Sequence, residues 1–252
     1  MVAVAVPASQ PVAEKPLAAA EMVEMLKTLD HRMSFPVDYS ARVYLEQKRP
    51  GQSDRVFELL ILRRDRDDSL IMLFAKPKTE AGKGYLRLDK NLWYYDPSAG
   101  KWERTTERQR VAGTEARRRD FDDWDLAVTF DPSYERREKL GAFVAHKLRL
   151  KAKKDADVAF PVLLLWVDTE TGNPLKTEAL TESGKLSQTT FYPKWAKESE
   201  SKSTKVVYYP QEILIRDDLE KGTQTKIVVK QTELKALPDN VFTKAWLETQ
   251  SR

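Results

Sequence analysis

Cysteine is absent from the 252 residues, which removes disulfides, thiolate metal sites and a cysteine nucleophile together. Histidine is scarce: only His31 and His146 occur, and they lack the spacing of a metal pair. No Gly-x-Ser-x-Gly elbow is present, so a Ser-His-Asp site has no support. Phosphate-cradling glycine loops are missing as well. Gly82-Lys83-Gly84 is short, precedes a strand rather than a helix, and reads as a turn. No apolar run reaches the length of a membrane-spanning helix. Charge of one sign is also lacking: 43 basic against 39 acidic residues leave +4, and no basic run is interleaved with aromatics. Nucleic acid is therefore not an expected partner. No metal and no cofactor are expected.

Some clusters that look chemical have a plainer reading. Asp120, Asp122, Asp123 and Asp125 lack the glycine and terminal glutamate of a calcium loop. They are expected to cap and to form a solvated face paired with Arg117 to Arg119. His31 falls at the end of a helix, where a cation suits the dipole, and His146 lies on a strand between charged neighbours. Met1 to Pro16 has its first positive side chain at Lys15, so the basic start of a secretory signal is missing. These residues are expected to be an added start and a flexible tether, with any lipid anchor preceding Met1.

What is present is a succession of short strands. The pieces Tyr85 to Leu88, Leu92 to Tyr95 and Lys101 to Thr105 are rich in strand formers. They are separated by Asp89-Lys90-Asn91 and Asp96-Pro97-Ser98-Ala99-Gly100, both turn chemistry. Before them, Leu17 to Met33 places apolar residues at three- and four-residue spacing, the mark of an amphipathic helix. Phe35 to Leu45 alternates apolar and polar residues. Arg55 to Arg64 and Leu70 to Ala75 form an expected hairpin, apolar on successive residues and so covered on both faces.

Strands continue at Ser133 to Leu140, Phe143 to Ala152, Val158 to Asp168, Pro174 to Glu182, Leu186 to Tyr192, Lys205 to Ile215 and Thr223 to Lys230. A turn signal follows each, and no β-α-β alternation appears, which argues for one antiparallel sheet. A helix from Asn240 to Glu248 closes the chain. The fold class is mainly β, with about eleven strands.

Two helices are few for so large a sheet, which tends to curl. A curled sheet rich in aromatics encloses either packed side chains or an apolar pocket, and wide apolar concavities suit acyl chains. Six Trp, nine Tyr and nine Phe are available. Strand alternation nominates Tyr39, Val43, Phe57, Leu59, Met72, Phe74, Tyr85, Trp93, Leu164 and Trp166 as the lining.

Several short stretches carry a resemblance: Phe74-Ala-Lys-Pro77, Lys83-Gly84, Leu92-Trp-Tyr-Tyr-Asp-Pro97, Asp120-Phe-Asp-Asp-Trp-Asp-Leu126, Tyr209-Pro210 and Phe242-Thr243. With Leu26-Lys-Thr-Leu-Asp-His-Arg-Met33 they resemble the outer-membrane lipoprotein-sorting family, in the subgroup related to the carrier LolA. The resemblance runs from about Ala20 to the end. It implies a half-open antiparallel β-barrel with N-terminal, central and C-terminal helices over a hydrophobic cavity, in a single domain of residues 17–252. It further implies a periplasmic carrier moving lipoprotein, phospholipid or fatty acid toward the outer membrane. The implied ligand is a lipid or acylated lipoprotein, a membrane transporter complex is a candidate partner, and a monomer is expected. Two rivals stand beside this reading. One is a phospholipase-like hydrolase acting in the same cavity. The other is a docking module that uses the charged segment Arg104 to Asp125.

Overall fold

The computed structural model describes residues 16–88, 91–106, 108–121, 124–199 and 206–251. The tether reading of residues 1–15, the turn residues Asp89 and Lys90, and the roles of Asp122 and Asp123 lie outside the described residues.

Helix α1 spans Ala19–Met33 and is followed by β1 (Tyr39–Lys48), β2 (Arg55–Arg64) and β3 (Ser69–Lys76). The short strands β4 (Gly84–Leu88), β5 (Asn91–Asp96) and β6 (Lys101–Thr105) complete a first meander. Residues 106–129 then carry two 3-10 turns and the one-turn helix α2 (Leu126–Thr129). A second meander comprises β7 (Phe130–Leu140), β8 (Phe143–Ala152), β9 (Val162–Asp168), β10 (Pro174–Leu180), β11 (Leu186–Ser199), β12 (Val206–Asp217) and β13 (Gln224–Leu234). Helix α3 (Lys244–Gln250) ends the described chain.

All thirteen strands join one antiparallel sheet in the order β6-β5-β4-β3-β2-β1-β13-β12-β11-β10-β9-β8-β7. The expected half-open barrel is therefore found, with thirteen strands in place of about eleven. Its first and last strands pair in the middle, Tyr39 opposite Leu234 and Lys48 opposite Gln224. Its free edges, β6 and β7, are consecutive in the chain, and residues 106–129 run between them.

Residues directly opposite one another across a ladder share a face, so the pairings sort the side chains. On the concave face, Val43 lies opposite both Val229 and Leu59, and Leu59 lies opposite Phe74. The next row carries Ala41, Ile61, Met72, Tyr85 and Tyr94. Helix α1 lies over this face because Met22, Leu26, Leu29 and Met33, spaced by four, three and four, make one apolar stripe. It packs against α2, β7 and β12.

The convex face of the first meander is covered too. Leu62, Ile71 and Leu86 are buried there beneath Val241, Phe242 and Leu247, as the doubly apolar sequence of β2 and β3 predicts. Gly84 permits this approach: a Cβ at that position would stand 3.0 Å from the Met72 carbonyl oxygen and 3.1 Å from a Leu247 methyl. The strap leading into α3 is fastened by buried charge. Asp38 accepts hydrogen bonds from Arg64 at 2.8 and 3.0 Å and from the Leu237 amide at 2.8 Å. The Arg64 guanidinium lies 4.8 Å from the Phe242 ring centre.

Candidate ligand site on the concave face

The concave surface has an apolar part and a polar part, and the sheet register sets the boundary. The row through Leu45 joins Phe57, Ile227 and Ile213. Two residues further along β1, the row through Gln47 joins Thr225, Ile215, Thr190 and Thr177 before returning to Leu165 and Leu148.

Over the polar part sits the connection between β6 and β7. Val111, Thr114, Glu115 and Ala116 are buried, so this segment is a plug. The sequence-based alternative of an exposed docking segment is not met over its middle. Glu115 holds the plug down. Its carboxylate accepts from the Thr225 hydroxyl at 2.6 Å and Arg110 at 3.2 Å, while its amide donates to Thr225 Oγ1 at 3.0 Å. Gln47 donates to the Gly113 carbonyl at 3.0 Å, and Arg110 also reaches Asp217 at 2.9 Å.

Over the apolar part sits α1, and polar ties fasten its C-terminal end. Asp30 accepts hydrogen bonds from the amides of Leu126 and Ala127 at 2.7 and 2.8 Å, joining α1 to α2. Burial raises the Asp30 pKa, the two amides and Arg119 oppose that rise, and Asp125 adds to it. Arg32 reaches the Thr171 carbonyl at 2.9 Å and Asn173 at 2.8 Å. Arg63 donates to the Met33 carbonyl at 2.6 Å and pairs with Asp65, which receives the Phe35 amide at 2.5 Å.

A cavity of about 40 Å³ remains between α1 and the sheet, with Phe35, Tyr39, Val43, Ile61, Tyr209 and Val229 among its walls. That is space for about one water, so α1 and the plug together fill the barrel. Burial drives the Tyr39 hydroxyl far above its ordinary value, and Tyr209 adds to this. It also pushes Tyr85 up to about 12, so both rings remain neutral. A second, polar cavity of about 30 Å³ lies by the plug, and Asp120 borders both. A wider groove of about 530 Å³ runs beside the end of α3. Leu59, Leu60, Leu73 and Phe74 border it together with Glu58, whose carboxylate is paired with Lys76 at 2.9 Å and with Arg42.

Of the ten nominated residues, seven meet on the concave face: Tyr39, Val43, Phe57, Leu59, Met72, Phe74 and Tyr85. Four of their rings, with Tyr94 and Tyr209, form two contact groups, Phe57 to Phe74 to Tyr85 to Tyr94 at 6.0, 6.4 and 5.0 Å between centres, and Tyr39 to Tyr209 at 6.0 Å. Three are corrected. Leu164 and Trp166 are buried on the convex side, because Leu163, Leu165 and Val167 take the concave side. Trp166 is covered there by Lys147 and Lys176, 4.8 and 4.5 Å from its ring, and donates to Glu138 at 2.5 Å. Trp93 also faces outward: it lies opposite Leu86, with Lys244 of α3 at 3.7 Å from its ring.

Asp120 departs from its expected role as a solvated cap. It accepts the Arg117 amide at 2.7 Å, and burial raises its pKa, with Arg117 and Arg119 opposing only in part. The residues that sequence reasoning missed are those of the polar part: Arg117, Arg119, Thr177, Gln188 and Thr190. As for hydrolysis, the one hydrogen bond to a histidine ring among the described residues joins His146 Nδ1 to the Tyr134 hydroxyl at 3.4 Å, and His31 is exposed.

Comparison with solved structures finds this architecture in other chains. A LolA superfamily protein from Nitrosomonas europaea matches with a TM-score of 0.71 at 22% identity, over 91% of this chain and 99% of that one. A domain assigned to outer membrane lipoprotein sorting from Vibrio parahaemolyticus gives 0.75 at 18% identity, over 90% and 97%. A DUF1329 family protein from Desulfovibrio piger gives 0.76 at 17% identity, over 91% and 98%. No curated protein matches by sequence. A family model described as "Uncharacterized protein" matches residues 66–249. The chain belongs to the family of that model, and its fold is that of the LolA superfamily.

Proposed function

We propose that the protein is a periplasmic carrier that shields the apolar chains of a lipid or acylated lipoprotein in transit toward the outer membrane. Residues 17–252 would act as one binding unit. The observation that carries this reading is a concave face lined with aliphatic and aromatic side chains, its apolar part covered by one amphipathic helix, α1. The likeness to LolA-superfamily and lipoprotein-sorting structures supports the same assignment and the periplasmic setting.

The energetics suit reversible exchange. Lifting α1 exposes four buried apolar side chains, about 1.5–3 kcal/mol each and so roughly 6–12 kcal/mol together. An acyl chain of about 14 methylenes taking their place returns roughly 0.8 kcal/mol per methylene, or about 11 kcal/mol. Cover and cargo are thus near equals as partners for the sheet, and the present form is the closed one.

The test is organic-solvent extraction of protein purified without detergent, followed by lipid mass spectrometry and uptake of a fluorescent acyl probe. A stoichiometric lipid, or saturable uptake, is the expected result. An empty extract with no uptake overturns the reading. In the same assay Asp30→Ala, which frees α1 from α2, is expected to speed uptake about tenfold, since a charged hydrogen bond contributes roughly 1.5–3 kcal/mol.

A further inference from the structure

The polar cavity holds two arginines, neither of them paired with a carboxylate side chain among the described residues. Arg117, Arg119 and Asp120 stand on the plug, and Thr177, Gln188 and Thr190 face them from the sheet. Thr177 lies opposite Thr190 in the row that also holds Gln47 and Thr225, and Ala179 lies opposite Gln188; Gln188 donates to Thr190 Oγ1 at 3.4 Å, and Thr177 is hydrogen-bonded to Tyr192. Polar groups are buried at a cost unless they are satisfied.

The charges are unbalanced. Arg119 makes no hydrogen bond or ion pair among the described residues, and acts on Asp30 and Asp120 only through space. Arg117 donates from one terminal nitrogen to the Arg108 carbonyl and lies 5.2 Å from the Phe160 ring centre. Its Nε is buried with no partner. The one carboxylate at the cavity, Asp120, is engaged by the Arg117 backbone amide rather than by either guanidinium. Burial, reinforced by Arg110, holds the Arg117 pKa below its usual value, which is the mark of a cation short of a counter-charge. Burial also keeps the nearby Tyr192 hydroxyl protonated and so a donor.

We propose that this cavity is the headgroup subsite of the carrier and receives an anionic group, phosphate or carboxylate, between Arg117 and Arg119, while the attached chains occupy the apolar part. Two guanidiniums and a row of hydroxyl and amide donors match the oxygens of such an anion. Asp120 borders both cavities, so a molecule with an anionic head and apolar tails can span the boundary. The closed form has space for about one water here. Both arginines belong to the plug and not to the sheet, so seating the anion requires residues 117–120 to draw back from the sheet, a movement separate from the lifting of α1.

The inference rests on the carrier reading, and the experiment separates the two. Uptake from vesicles is followed for labelled phosphatidic acid, a labelled fatty acid and neutral labelled diacylglycerol, with wild type, Arg119→Gln and Arg117→Lys. Wild type is expected to prefer both anionic probes over diacylglycerol by about tenfold or more, ~1.4 kcal/mol. Arg119→Gln should lose most of that preference and retain diacylglycerol uptake, which reports an intact fold. Arg117→Lys should retain it in part. Equal uptake of anionic and neutral probes by wild type overturns the headgroup subsite and leaves the carrier standing. A loss of all three probes in Arg119→Gln assigns that residue to the fold and likewise overturns it. Absence of uptake of every probe overturns both readings. Titration with inorganic phosphate is the last arm: binding of phosphate without any lipid preference moves the cavity to free anions and overturns the headgroup assignment.

Discussion

The two meanders solve the same packing problem in different ways. In the first, β2, β3 and β4 are buried on both faces, by the core on one side and by α3 with its strap on the other. In the second, β8 and β12 mix buried with accessible positions, β7 buries only Phe130 and Glu138, and among the described residues no helix covers their convex side. There the outer face shields itself with long charged side chains, as over Trp166. A region covered twice has its geometry fixed from both sides. Among the described residues the second meander covers its convex face with its own side chains alone, and it is also the meander that contributes Thr177, Gln188 and Thr190 to the polar cavity. The polar cavity thus draws its sheet residues from the second meander, while the seven apolar lining residues lie on β1 to β4 of the first.

The largest way to break this contrast is to remove the buried charge that fastens the strap. Asp38→Ala leaves Arg64 buried without its main partner and the Leu237 amide unpaired, and should cost about 3–5 kcal/mol in denaturant unfolding. A cost below about 1 kcal/mol would mean that the strap does not hold the first meander. On the second meander, Trp166→Phe retains the ring and its cationic cover but orphans Glu138 from the indole N–H. An expected loss of about 1–3 kcal/mol, read from the thermal midpoint, would show how far the lysine cover substitutes for a helix.

Acid sharpens the comparison further. Asp38 is held below its ordinary value: burial opposes this, but Arg64 and the Leu237 amide prevail. Glu58 is held low chiefly by Lys76. Each contributes stability that is fully present above the ordinary carboxylate value and lost as pH falls through the depressed one. Asp30 and Asp120 shift the other way. Their stabilising contribution is complete below the ordinary value and lost as pH rises through the raised one. Asp217, tied to Arg110, follows the first pattern. Below about pH 4, protection against amide hydrogen exchange should therefore fall first around β1 to β3 and the strap, while Asp30 adds no loss at the α1–α2 contact. Earlier loss at that contact would contradict the assignment. The smallest effect is expected at Thr177→Val: a stability change within about 1 kcal/mol, with anionic-probe uptake reduced. A larger loss of stability would make that hydroxyl a structural one.

How much of this was legible follows from the pattern of each strand. Tyr39, Ala41, Val43 and Leu45 alternate with polar residues, so the concave face of β1 can be read directly, and its neighbours inherit it through the hairpin. In Val162-Leu-Leu-Leu-Trp-Val167 every residue is apolar, and in Leu92-Trp-Tyr-Tyr95 every residue is apolar or aromatic. A period of two leaves no mark there, and a one-residue error reverses every side chain. That is why strand alternation puts Leu164, Trp166 and Trp93 on the wrong face. β11 hides its parity in the opposite manner: Gln188, Thr190 and Tyr192 alternate with Ser187, Thr189 and Phe191, two comparable sets. It also passes through two register shifts between Phe191 and Trp195. The inward turn of the plug has no periodic signal, because residues 108–121 are fixed by Glu115, Gln47 and Thr225, far apart in sequence.

The pairing of β1 with β13 bears on how the chain assembles. Each meander is built from neighbours in sequence, so its hairpins close short loops and can form early. Joining Tyr39 to Leu234 closes a loop across most of the polypeptide, and such long-range contacts are the slow ones. During synthesis β1 must therefore wait as an unprotected edge until almost the whole chain has been made, a template for pairing with other nascent chains. The last strand to emerge is the one that closes that exposure, so truncations before Gln224 should appear as aggregates rather than as weakened carriers.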